Sequence, residues 1–61
     1  MDPYLIEVAQ RLDRMEDPAE VEQAMDKLEF LYEALEGEEQ DQASALLAAL
    51  ADRLEALRRR R

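Results

Sequence analysis

Glu29 and Glu33, Glu33 and Glu36, and Glu36 and Glu39 stand three or four positions apart, the spacing that brings pairs of carboxylates onto one face of a helix. Carboxylates are the one functional group this chain has in abundance. Paired on a helix face, they suggest a di-iron bundle or a hard divalent cation. A di-iron bundle needs Glu-x-x-His motifs, and the chain has no histidine. Glu36, Glu38, Glu39 and Asp41 offer oxygen ligands, but without the spacing of an EF-hand loop, so they are expected to be solvated surface.

Few other groups could do chemistry. Histidine and cysteine are both absent. That removes the commonest general base, the best thiol nucleophile, a zinc site and any disulfide. Ser44 is the only serine, and it has no histidine to activate it. Lys27 is the only lysine and lies among acids on a polar face. The expectation is a non-enzymatic chain with no cofactor and no metal.

The charge is unevenly distributed. The net charge is −8. Residues 16–41 hold eleven acids against Lys27 alone, whereas residues 42–61 hold five arginines against Asp52 and Glu55. An acidic body repels phosphate, which argues against general nucleic-acid binding. Like charges four apart, such as Glu29 and Glu33, destabilise an isolated helix by a few tenths of a kcal/mol, which leaves room for a basic protein partner.

Sixty-one residues make at most one domain, and a chain this short is marginally stable by itself. Without cysteine or histidine, what remains to support it is oligomerisation or very regular helix packing. The composition is 48% apolar and 39% charged, with one glycine and two prolines, the mixture of a helical bundle rather than of a disordered chain. No apolar run approaches the roughly 18 residues of a membrane span, and the first residues lack the basic start and apolar core of a secretion signal. Together with the lack of cysteine, these features fit the reducing cytoplasm.

Helical periodicity dominates the rest. Asp2-Pro3 and Asp17-Pro18 each place a capping side chain before a proline at the first helical position. The first helix is expected over about 3–16, with Leu5, Val8, Leu12 and Met15 on one face. The second is expected over 18–36, with Asp17 accepting from the Glu20 N–H and Glu20 reaching back as in a capping box. Its core face holds Val21, Ala24, Met25, Leu28, Leu31, Tyr32 and Leu35, and Gly37 is expected to end it as a left-handed C′ residue. The third is expected over 41–60, with Glu38 and Glu39 as a possible earlier first turn. It carries Ala43, Leu46, Leu47, Leu50, Leu54 and Leu57 on one face, and its basic tail, Arg58 to Arg61, complements the helix dipole.

The fold class is therefore all-α, a three-helix chain in a single domain. Helices two and three, matched at about 28 Å, form an antiparallel hairpin, and two hairpins are expected to pair into a dimeric bundle. Two amphipathic helices cannot cover each other fully, and the first helix could instead close a three-helix core. Two misfit residues favour the dimer. At about 100° per residue, Phe30 lies about 160° and Ile6 about 140° from the centre of the apolar stripe of its helix.

These patterns give an expected function. The chain is a small helical interaction module that self-associates through Val21, Met25, Leu28, Leu31, Tyr32, Leu35, Leu46, Leu47, Leu50, Leu54 and Leu57. It docks a basic partner on its acidic second helix, with Ile6, Phe30, Glu29, Glu33, Arg58, Arg59, Arg60 and Arg61 as candidate partner contacts. The arginine run has two further uses, gripping nucleic acid or neutralising Asp17, Glu20 and Glu22 at the start of helix two. A purely structural homo-oligomer is the remaining alternative.

Overall fold

The computed structural model describes residues 2–60 and is helical throughout, with no strand among the described residues. Helix α1 spans Pro3–Arg11, α2 spans Pro18–Tyr32 and α3 spans Glu38–Arg59. Both Asp-Pro starts act as expected, with one change of partner. Asp2 accepts from the Tyr4 N–H at 2.8 Å. Asp17 accepts from the Ala19 N–H at 3.0 Å rather than from Glu20. The Glu20 carboxylate turns away to Arg11, so the reciprocal half of the capping box is replaced by an ion pair to α1.

Three boundaries depart from the periodic pattern: the ends of α1 and α2, and the start of α3, which lies at Glu38 rather than Asp41. α1 stops at Arg11 and tightens into a single 3₁₀ turn over Leu12–Arg14. Met15 then leaves the helix with ψ 116°, and its side chain is buried. α2 ends at Tyr32, four residues short of Glu36, and the Ala34 and Leu35 N–H groups bond back to the Leu31 and Tyr32 carbonyls. Unwinding there lets Leu35 enter the core from the loop. Gly37 does not cap α2. Its φ of +56° is left-handed, but its ψ of −125° lies outside the left-handed helical well, and it serves as N-cap of α3. Its carbonyl accepts from the Gln40 and Asp41 N–H groups. α3 thus starts at Glu38, which places Glu38, Glu39 and Asp41 in its first turn, at the positive end of the helix dipole.

α2 and α3 form the antiparallel hairpin. The Gln40 amide donates to the Tyr32 carbonyl at one end, and Arg58 pairs with Glu22 at the other. α1 lies against its own hairpin and runs antiparallel to α2, with Arg11 beside Glu20 and the Lys27 ammonium 4.2 Å from the Tyr4 ring centre. Leu5 and Val8 of α1 and Met15 join Val21, Ala24, Leu28, Leu35, Ala43, Leu50 and Leu57 in one core. Ala43, Leu50 and Leu57 recur every seven residues, the heptad spacing that keeps one seam of α3 turned inward along its length. Leu5, Val21, Leu28 and Leu50 are fully enclosed.

Candidate interaction groove between α2 and α3

α1 covers one flank of the hairpin and leaves the other open. On α2, Glu20, Gln23, Ala24 and Lys27 border a hollow shared with α1. Nearly half a turn further round, Glu22, Met25, Asp26 and Glu29 border a hollow shared with Leu54 of α3, about 340 Å³ in volume. Glu29 also borders the next hollow along, about 260 Å³, with Tyr32, Glu33, Ser44 and Leu47. The shared Glu29 makes the two hollows one shallow groove, and no α1 residue lines it.

Helical spacing explains its composition. Glu22, Met25, Asp26, Glu29, Tyr32 and Glu33 fall on one side of α2, and Ser44, Leu47, Ala51 and Leu54 on the facing side of α3. Met25, Tyr32, Leu47 and Leu54 are half-buried, packed against the core from below and open above. The α2 wall is a row of four carboxylates, whereas the α3 wall is small and uncharged at Ser44 and Ala51, both exposed. Glu22 is the only one of the four with an ionic partner among the described residues, Arg58 at 3.1 Å.

The hollow between α1 and α2, about 210 Å³, has its polar groups in use. Arg11 pairs with Glu7 and Glu20 across its rim, and Lys27 sits on Tyr4. The Tyr4 hydroxyl is pushed above its ordinary pKa of 10.0, first by burial and then by the nearby Glu7 charge, with Arg11 acting in the opposite direction.

The residues singled out by sequence divide sharply. Val21, Leu28 and Leu50 are 0% exposed within the single chain, and Leu35 and Leu57 are also buried, so their surface is already spent inside one copy. Met25, Leu31, Tyr32, Leu46, Leu47 and Leu54 are half-buried and keep apolar surface to offer. Phe30 is 81% exposed and Ile6 42%, as their angular positions require. Glu29 and Glu33 stand on the groove rim. Arg58 neutralises Glu22 within the chain, as its place in an antiparallel hairpin predicts, and Arg59 pairs with Glu55 one turn back. Arg60 is exposed. Arg61 lies outside the described residues. No cluster of three or more metal-ligating side chains occurs among the described residues.

Periodicity alone missed three contributors. Asp26 looks like an ordinary solvated acid until α3 is set beside it. Gln40 looks like part of a loop, yet its amide satisfies the Tyr32 carbonyl at 3.1 Å. Arg53, next to Asp52 between the apolar positions Leu50 and Leu54, looks like surface charge, yet its Nε donates to the Met15 carbonyl at 2.8 Å. Among the described residues, no helix is long and apolar enough to cross a membrane. No family model, curated protein or solved structure matches this chain.

Proposed function

We propose that the protein is a small, non-enzymatic helical interaction module whose working surface is the α2–α3 groove, and that the groove holds a basic amphipathic helix of a protein partner. One observation carries this reading. Half-buried Met25, Tyr32, Leu47 and Leu54 form an apolar floor, and Asp26, Glu29 and Glu33 stand along one wall without an ionic partner among the described residues. A helix laid on such a floor buries an apolar stripe against it. Lysine or arginine on one flank of that helix relieves the repulsion along the α2 wall.

The test is a titration of the full chain with a fluorescein-labelled 18-residue helix that has a leucine stripe and a basic flank. Binding is expected to weaken with salt, because the rim pairs are exposed. It is also expected to be lost in Leu47→Gln and Leu54→Gln but kept in Ile6→Gln, which lies off the groove. A chain that ignores the peptide at low salt, or binds it equally well with both leucines changed, does not use the groove in this way.

Self-association is the second reading, favoured by the apolar surface that Met25, Leu31, Tyr32, Leu46, Leu47 and Leu54 leave uncovered. A second copy would meet the groove with a net charge of −8, and the acidic wall favours a basic occupant over it. Multi-angle light scattering separates the two. A stable dimer that Leu47→Gln dissociates would place a second copy in the groove.

A further inference from the structure

Phe30 stands at the outer edge of the acidic wall and is 81% exposed, with its ring free of the core. Asp26 is four residues before it and Glu33 three residues after, so each is a surface neighbour of Phe30, with its Cβ about 5–6 Å from that of Phe30, and the two acids flank the ring one turn to either side. Both acids lie on the groove side of Phe30, and neither has an ionic partner among the described residues. Lys27, which follows Asp26 in the chain, turns the other way, to the Tyr4 ring. An open aromatic face thus borders two unsatisfied carboxylates.

Arginine and lysine would use this place differently. A guanidinium is planar: it can lie on the Phe30 ring while its edge N–H groups donate to Asp26 and Glu33. An ammonium is a compact and strongly hydrated point charge. It can approach one carboxylate or the ring, but it has no flat face with which to satisfy both. We propose that Phe30, Asp26 and Glu33 form a reader for arginine, as against lysine, on the basic flank of the helix held in the groove. The proposal rests on the groove reading above and adds a specificity to it. The clamp also gives the exposed Phe30 ring a use that the groove floor does not.

The experiment compares two labelled 18-residue amphipathic helices with identical leucine stripes, one with an all-arginine flank and one with an all-lysine flank. Each is titrated into the full chain and into the Phe30→Ala, Phe30→Leu and Asp26→Asn/Glu33→Gln variants. Circular dichroism shows that each variant keeps its helix content. The arginine helix is expected to bind the unaltered protein about five-fold tighter than the lysine helix. In Phe30→Ala that ratio falls to about one through loss of arginine affinity, with lysine affinity unchanged. Phe30→Leu, apolar but without a ring face, behaves like Phe30→Ala. Equal affinities in the unaltered protein, or a ratio that survives both Phe30 variants, overturns the clamp. The groove reading stands in that case if both helices bind and both are lost in Leu47→Gln. If neither helix binds at low salt, both proposals fall.

Discussion

Arg53 donates from Nε to the backbone carbonyl of Met15 at 2.8 Å, across thirty-eight positions of sequence. The same guanidinium reaches the Asp13 carbonyl from Nη2 at 3.4 Å. These carbonyls belong to the end of the first helical segment, where backbone acceptors have no partner of their own. One side chain of α3 thereby ties down the segment after α1 from which Met15 enters the core. Replacing Arg53 by alanine is expected to destabilise the chain by about 1–3 kcal/mol, the usual effect of losing hydrogen bonds to a charged donor. Lysine at this position should restore only part, because an ammonium has no fork to span two carbonyls. The readout is the urea midpoint at constant slope. An unchanged midpoint in Arg53→Ala would mean that the joint is held by packing alone.

Gly37 gives a test of the loop. Its φ of +56° with ψ of −125° is a conformation that side chains resist, and nothing lies within 4 Å of where a Cβ would sit. The penalty for Gly37→Ala is thus one of backbone strain rather than collision. It should be about 1–2 kcal/mol, and Gly37→Asn should show a similar loss. Thermal unfolding checks this. Equal stability of Gly37→Ala would show that the loop accepts a right-handed path.

Tyr4 supplies a pH dependence with a definite sign. Burial raises its folded pKa above the ordinary value of 10.0, so the unfolded chain gives up the phenolic proton first as the pH rises. The stability linked to Tyr4 is complete below about pH 10 and is lost as the pH climbs through the raised folded value. Tyr4→Phe should be the more resistant form in that alkaline window. Chemical denaturation of the two proteins at pH 8 and pH 11 measures the difference. Parallel loss in both would exclude Tyr4 as the source.

Glu29 borders both halves of the groove and stands four residues before Glu33. Glu29→Gln removes one member of a like-charge row, so it should stabilise the free chain by about 0.2–0.5 kcal/mol. The same change should weaken binding of a basic helix. Opposite signs in the two measurements are the expected signature of a wall built for a partner. If Glu29→Gln stabilises the chain and leaves binding untouched, the row is surface charge only.

The amphipathic stripes were legible without coordinates because a helix repeats every 3.6 residues, and an apolar stripe on that period has one geometric solution. Asp2-Pro3 and Asp17-Pro18 announced two helix starts for an equally local reason. The exposure of Phe30 and Ile6, and the pairing of Arg58 with an acid at the start of α2, followed from angular position and antiparallel direction. The C-terminal limits of α1 and α2 did not follow. Beyond those limits the chain makes contacts distant in sequence: Arg53 reaches back to the Met15 carbonyl, and Leu35 packs in the core from the loop.

The sequence by itself determined an all-helical chain, its three apolar stripes and the acidic character of α2, since each depends only on near neighbours along one helix. The tertiary structure alone decided that α1 closes on its own hairpin, burying Val21, Leu28 and Leu50 within one copy. It alone decided that Met25, Tyr32, Leu47 and Leu54 meet as the floor of a groove with its carboxylates on one wall. The physical reason is that a stripe must be covered by something, and periodicity does not say by what. The choice among a first helix, a second copy and a foreign helix is made by side chains far apart in sequence.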